Sequence, residues 1–297
     1  MSKCIKPMDS VKSFINVSTT RAKNDPMKII LLSIFAGMFI AFGAAGSSVA
    51  AHNIEVPGLS RLVTGLVFPV GLMMVILTGA ELFTGNCMFV MGVLEKRITA
   101  KKMMEVLLLA YLGNLIGGVL IAILISQSGQ FDYTSGLLGA YTIKVASGKV
   151  ALTFTKALIS GILCNFLVCT AVFIAGSATD IIGKLFSVFF PILIFVVSGF
   201  EHSVANMYYI PAGILAAKNR ELVMTAMEQY GLSVEQIANV NWQSFFINNL
   251  LPVTIGNVLG GVFIFALPIL YIYREKKGEK QSEPYQFSWV RSNDCGN

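Results

Sequence analysis

Charged residues are scarce in this chain of 297 residues. Asp, Glu, Lys and Arg make up 13% of it, about half of the share that is usual in soluble domains, whereas 55% of the residues are hydrophobic and the mean hydropathy is +0.71. This composition excludes an ordinary soluble domain and a disordered chain. It indicates a protein that crosses a membrane several times.

Histidine and paired cysteine are also scarce. The sequence has two histidines and five cysteines, and no two cysteines form a CxxC pair. Neither a disulfide framework nor a zinc site is therefore indicated, and we expect no cofactor, no metal and no catalytic residues. The net charge of +6 does not indicate nucleic acid, because the basic residues are distributed as they are in membrane proteins.

Apolar runs about as long as a membrane-spanning helix follow one another along the chain. Two of them are interrupted by a single acid, Glu81 in one and Glu201 in the other. Glu81 is followed by only 13 uncharged residues, and Glu201 is flanked by two short apolar stretches. We interpret each as one crossing whose helix is broken mid-membrane. The prediction is an all-α membrane protein with six crossings, of which the second and fifth are broken.

The positions of Lys and Arg predict the orientation. If both termini lie on one side, that side holds 16 of the 22 Lys and Arg residues. We therefore predict a multi-pass protein of the inner cell membrane with both termini in the cytoplasm. Residues 1–27 are predicted to form an amphipathic cytoplasmic segment, residues 28–274 the transmembrane domain, and residues 275–297 a polar cytoplasmic tail. The longest outer loop, about residues 217–242, is predicted to hold one short helix and a turn at Gly231.

The two halves of the chain contain similar segments in the same order. Residues 78–86 and 198–206 share a hydroxyl residue, Gly, Glu, a small residue and Asn in register, and GNxxGG occurs at both 113–118 and 256–261. A weaker match aligns Gly37 with Gly161, 124 positions later. Because each half has three crossings, the second half is inverted relative to the first. In such inverted repeats the substrate path lies at the interface of the halves.

On these segments the chain resembles the formate/nitrite transporter family. The resemblance covers about residues 8–275, and its most specific segments are 79–86, Asn165, 199–211 and 252–257. It implies an aquaporin-like protomer in the lipid bilayer, a homopentamer, and one anion pore in each protomer. By this resemblance His202 is the central pore histidine and Thr84 is its partner.

Ionisable residues inside a membrane usually serve a function, which also favours His202. Glu81 and Glu201 are expected to support the opened loops by accepting backbone N–H bonds, since a carboxylate repels an anion. Asn165 and Asn257 either anchor loops or contact the substrate. The remaining polar candidate is Lys149, which is either a solvated interface lysine or, by resemblance, an attractant for anions in the outer vestibule.

Four apolar residues match the constrictions of the family, although their chemistry alone is that of core residues: Phe68, Leu72, Leu82 and Phe195. The predicted substrate is formate, passing with proton linkage at His202. Nitrite and hydrosulfide remain alternatives within the family. A water or glycerol channel is an alternative of another class, but two Asn-Pro-Ala segments and a pore arginine, which such a channel needs, are missing. An enzyme in the membrane would need a cluster of reactive residues that the apolar runs lack.

Overall fold

The computed structural model describes residues 5–274, and every regular element in that range is helical. The prediction of an all-α protein is thus confirmed for this part of the chain, whereas the predicted tail, residues 275–297, lies outside the described residues. The α-helices are α1 (Pro7–Ala22), α2 (Pro26–Ala51), α3 (Pro57–Val67), α4 (Pro69–Thr78), α5 (Phe83–Asn86), α6 (Val90–Leu94), α7 (Ala100–Gln127), α8 (Leu137–Val150), α9 (Phe154–Ser177), α10 (Ile181–Val197), α11 (Ser203–Ala216), α12 (Arg220–Tyr230), α13 (Val234–Ala238), α14 (Leu251–Leu259) and α15 (Leu267–Tyr273). Short 3₁₀ segments lie at Cys87–Phe89 and Gln130–Asp132, and π-helical turns at Ser244–Leu250 and Gly260–Ala266.

Five helical segments in the described range are long and apolar enough to cross a membrane. They are Pro26–Ala51, Pro57–Thr78, Ala100–Gln127, Phe154–Ser177 and Ser244–Tyr273. Polar caps begin three of the long helices: the Asp25, Thr99 and Thr153 side chains each accept a backbone N–H bond from the first turn. Such caps satisfy N–H groups that a helix leaves unpaired at its start.

Two helices stop at a glycine where the sequence places Glu81 and Glu201. After α4, Gly79 adopts a left-handed conformation with φ 71°, and after α10, Gly199 does so with φ 72°. A residue in the left-handed conformation ends a helix, and glycine adopts this conformation without a clash because it has no Cβ. Residues 79–82 form the first break and residues 198–202 the second break, after which the chain becomes helical again as α5 and α11.

Close glycine contacts repeat between the two halves. In the first half α7 packs on α2, and in the second α14 and the π-helical turn that follows it pack on α9, so that a Cβ added to any of four glycines would clash with a carbonyl oxygen. The contacts are Gly113 with Ile30, Gly117 with Ile34, Gly256 with Leu158 and Gly260 with Ile162. Residues of α2 thus correspond to residues of α9 that lie 128 positions later.

This correspondence corrects the weaker sequence match. Gly37 and Gly161 are 124 positions apart, which is about one helical turn too few. The residue that corresponds to Gly37 is Asn165, and both contact the asparagine of the facing GNxxGG segment. The error arose because the match relied on one shared glycine, and the position that corresponds to Gly37 holds an asparagine instead.

The segments outside the long helices also differ from the expectation. The helix α8 was not predicted, and the outer loop holds two short helices, α12 and α13, with Gly231 between them in a left-handed conformation. The amphipathic face predicted near the N-terminus is present in α1. Its Val11 and Ile15 are buried in a cluster with apolar residues of α6, α9 and the C-terminal helix, so this face packs on the protein.

Candidate functional site

The two breaks meet at a contact between Thr84, in α5 directly after the first break, and His202, at the end of the second break. The Thr84 Oγ1 lies 2.9 Å from the His202 Nε2, and both side chains are buried. The His202 Nδ1 accepts a hydrogen bond from the Ala205 backbone N–H at 3.3 Å. In a neutral imidazole only one ring nitrogen carries hydrogen. Nε2 therefore carries it and donates to Thr84, which leaves the threonine hydroxyl hydrogen available to another acceptor.

Asn114 fixes the first break through its side-chain amide. Its Oδ1 accepts the Phe83 N–H at 2.9 Å, while its Nδ2 donates to the backbone oxygens of Ser33 at 2.7 Å and Glu81 at 3.0 Å. Phe83 is the first residue of α5. The amide thus binds the chain on both sides of the break and ties it to α2.

Asn257 makes the corresponding three bonds at the second break. Its Oδ1 accepts the Ser203 N–H at 2.9 Å, and its Nδ2 donates to the backbone oxygens of Gly161 at 2.8 Å and Glu201 at 3.0 Å. The side chain is fully buried. Of the two roles that the sequence left open for Asn257, these contacts are those of a loop anchor.

Asn165 links the two halves. Its Nδ2 donates to the Asn257 backbone oxygen at 2.6 Å and to the Thr84 backbone oxygen at 3.3 Å. Cys169, one turn further along α9, also donates to the Thr84 oxygen, with its Sγ at 3.6 Å. Two side chains of α9, which belongs to the second half, thus bind the backbone of Thr84, which belongs to the first half.

Each break also contains a buried carboxylate with side-chain partners. Glu81 Oε2 accepts from Asn86 Nδ2 at 2.8 Å and from Arg21 Nη1 at 3.3 Å. In the second half Glu201 Oε2 accepts from Asn206 Nδ2 at 2.6 Å. Since the donors to these carboxylates are side chains, the expected backbone N–H bonds are not what the structure shows. The backbone amides at the breaks are bound by Asn114 and Asn257 instead.

Lys149 lies in the last turn of α8 and forms an ion pair. Its Nζ is 2.9 Å from Glu201 Oε1 and 5.2 Å from the centre of the Tyr209 ring. Asn249 completes the group, since its Nδ2 donates to the Lys149 backbone oxygen at 3.0 Å and to Glu201 Oε2 at 3.3 Å. Lys149 is thus neither a solvated lysine nor a free positive charge.

The four apolar candidates are all buried, and ring contacts connect two of them to His202. The rings of Phe68 and Phe195 meet edge to face with centroids 5.6 Å apart, and the Phe195 ring lies 6.1 Å from the His202 ring. Leu72 and Leu82 are 2% and 3% exposed and belong to the same apolar cluster.

A cavity of about 870 Å³ reaches this site. Its walls include Phe68, Phe195 and His202 together with Lys149 and Glu201, and further out the segment of residues 52–61 and the helices α8 and α12. The cavity wall therefore combines charged side chains with an apolar aromatic pair and the histidine. Within residues 5–274 no three His, Cys, Asp or Glu side chains are grouped to hold a metal ion.

Sequence reasoning missed four side chains of the site: Arg21, Asn86, Asn206 and Asn249. The repeat contained a signal for two of them. Asn86 and Asn206 recur in register five residues after Glu81 and Glu201, which is the spacing at which each amide donates to its carboxylate. Arg21 and Asn249 have no such signal, because they come from distant segments.

Comparison with known proteins gives consistent results. The family model described as formate/nitrite transporter matches residues 8–271. The chain is 37% identical over 285 residues to a probable formate transporter of Methanothermobacter thermautotrophicus, covering 90% of this chain and 96% of that protein. It is 35% identical over 256 residues to the formate channel FocA of Escherichia coli K12, covering 85% and 89%. A solved structure described as a pentameric formate channel with formate bound superposes with a TM-score of 0.74 at 31% identity, covering 84% of this chain and 98% of that chain.

Proposed function

The chain belongs to the formate/nitrite transporter family, and from that premise we propose that it conducts formate across the inner cell membrane. As a member of this family it is a membrane anion channel and not an enzyme. The proposal includes six crossings in two inverted three-span repeats, with both termini in the cytoplasm and five copies in the assembly. The repeated glycine contacts and the two breaks support this arrangement.

The contact between Thr84 and His202 carries the proposal. It joins the two halves at their breaks, it is buried, and its His202 lines the cavity together with Phe68 and Phe195. Because the His202 Nε2–H donates to Thr84, the threonine hydroxyl can donate to one oxygen of a carboxylate. This arrangement suits a small anion with hydrogen-bond acceptors and no large apolar part.

The apolar pair at the cavity wall favours passage of a neutral acid. Stripping water from a carboxylate costs about 20 kcal/mol in the Born limit and several kcal/mol after relaxation. Protonating an acid whose pKa lies about three units below neutral costs about 4 kcal/mol. The anion therefore takes up a proton from water while it lies beside His202, and passes Phe68 and Phe195 as the uncharged acid, which carries that proton with it.

Flux into proteoliposomes tests this function. Formate, nitrite and hydrosulfide are compared from about pH 5 to about pH 8, the range over which histidine ordinarily titrates. We expect formate to be conducted best and its flux to rise on acidification. His202→Phe should abolish this pH dependence, Thr84→Val should reduce the flux, and Thr84→Ser, which keeps the hydroxyl, should retain it.

Two results would contradict the proposal at different levels. A preference for nitrite or hydrosulfide would change the substrate and leave the pore intact. An unchanged pH dependence of formate flux in His202→Phe would remove the histidine from the mechanism. Protein-free liposomes measured in parallel give the leak of the neutral acid through lipid.

A further inference from the structure

The cavity contains two cations that are not part of any ion pair in the described part of the chain. Arg61 lies in α3 and Lys144 in α8, and both line the cavity and are exposed. Lys149, by contrast, is paired with Glu201. The pairs found in residues 5–274 include neither Arg61 nor Lys144.

Arg61 is held against the second break. Its Nη1 donates to the Val197 backbone oxygen at 3.3 Å, and it lies where a Cβ on Gly199 would be. The absence of a side chain at Gly199 thus makes room for the guanidinium. A guanidinium has five N–H donors, so the bond to Val197 leaves most of them for other acceptors.

Lys144 is held by aromatic rings. Its Nζ lies 4.4 Å from the centre of the Tyr230 ring and 5.7 Å from that of Tyr141. A cation over a ring is attracted by the ring quadrupole and keeps its full charge. The ammonium therefore has a defined place on the cavity wall without being neutralised.

The other ionisable groups of the cavity do not cancel both charges. The charges of Lys149 and Glu201 compensate each other. Of the remaining charged residues in the cavity wall, Glu55 is negative and Arg61 and Lys144 are positive. The second histidine of the wall, His52, has both ring nitrogens engaged, Nδ1 with the Val49 oxygen at 2.7 Å and Nε2 with Thr134 Oγ1 at 2.8 Å. The cavity is thus net positive.

We propose that Arg61 and Lys144 form the site that collects small monovalent anions in this cavity, and that Lys149 instead positions Glu201 at the second break. This inference rests on the proposed function, since formate is the anion that it would collect. Two fixed positive charges in a partly enclosed cavity raise the local concentration of a monovalent anion and its rate of entry.

Formate uptake into proteoliposomes at low and at high salt tests the site. In Arg61→Gln and in Lys144→Gln the formate concentration for half-maximal flux should rise about threefold at low salt, and in the double variant about tenfold. The maximal flux should stay near that of the unmodified channel. The difference should shrink as salt is raised, because the Debye length falls to about 8 Å at physiological ionic strength.

Three further variants separate charge from structure. Glu55→Gln should lower the half-saturating concentration, which is the opposite sign. Arg61→Lys should largely restore the unmodified value, and Lys218→Gln, an exposed lysine outside the cavity, should change nothing. If the double variant keeps the half-saturation and salt dependence of a conducting unmodified channel, this inference is wrong and the proposed function stands. If the unmodified protein conducts no formate, both are wrong.

Discussion

At the residue scale, amides rather than charges hold the two breaks. Asn114 and Asn257 each bind one N–H and two carbonyl oxygens. The sequence could identify Asn257 as buried and polar, and the repeat paired it with Asn114. It could not separate an anchor from a substrate ligand, because that depends on which backbone groups the fold brings within hydrogen-bond distance.

The contact of His202 with Thr84 was predicted from the family resemblance, which pairs the two residues, and the structure shows it. The ion pair of Lys149 with Glu201 could not be predicted. A lysine and a glutamate 52 residues apart give no sequence signal for pairing, and the resemblance favoured Lys149 as an attractant for anions.

Replacing either amide anchor should destabilise the protein. In Asn114→Ala and in Asn257→Ala three buried backbone groups lose their partner, and an unpaired buried group costs about 1–3 kcal/mol. We expect a loss of about 3 kcal/mol or more in the free energy of unfolding. Thermal unfolding of the detergent-solubilised protein measures it. Asn16→Ala, on the exposed face of α1, is the control, and midpoints equal to that of this control would contradict the anchor role.

At the element scale, the helix breaks followed from the lengths of the apolar runs. An apolar run with an acid in its middle, and with too few residues on one side of the acid to cross the membrane again, predicts a single crossing with a broken helix. The helix α8 escaped prediction because Lys144, Ser147 and Lys149 interrupt its apolar pattern. Its apolar side chains pack on α11 and α12, and this tertiary packing is what stabilises it.

The left-handed glycines of the two breaks, Gly79 and Gly199, give a matched pair of substitutions. At Gly79 a Cβ would meet no atom within 4 Å, whereas at Gly199 it would displace the Arg61 guanidinium. In Gly79→Ala and in Gly199→Ala the left-handed backbone costs about 1–2 kcal/mol, so both should unfold at similarly lowered temperatures. Only Gly199→Ala should also raise the formate concentration for half-maximal flux at low salt, since it moves Arg61.

Thermal unfolding and flux are measured on the same preparations of these two variants. A rise in half-saturation that is equal in both would mean that the strained backbone, and not Arg61, causes the effect. If the half-saturating formate concentration rises in neither variant, Arg61 does not take part in collecting anions.

At the scale of the whole molecule, the two halves pack closely against each other at glycines. Gly118 of the first half packs on the backbone of Met207, and Gly261 of the second half packs on Cys87. Gly118 and Gly261 are the last glycines of the two GNxxGG segments, and each contacts a residue of the other half. Whole-chain symmetry could be read from the repeated motifs, but the contact partners required the packed structure.

The outer surface of the protomer bears on assembly. Between 33% and 50% of the most apolar window of each candidate span is buried within the chain, so much of each span faces lipid or another copy. Large apolar side chains are exposed along α2 and α7, among them Leu31, Phe35, Leu108 and Ile116. A similar solved structure is a pentamer, and a closed ring is a common way for identical subunits to bury such surfaces.

We therefore expect the detergent-solubilised protein to be a pentamer. Five copies of a 32.1 kDa chain give about 160 kDa of protein in a cyclic assembly. Light scattering combined with refractive index and absorbance separates the protein mass from bound detergent. Because one protomer contains both breaks, the cavity and the Thr84–His202 contact, we expect the proposed pore to function without the ring. A protein mass near 32.1 kDa with intact formate flux would contradict the pentamer and leave the single-chain pore standing.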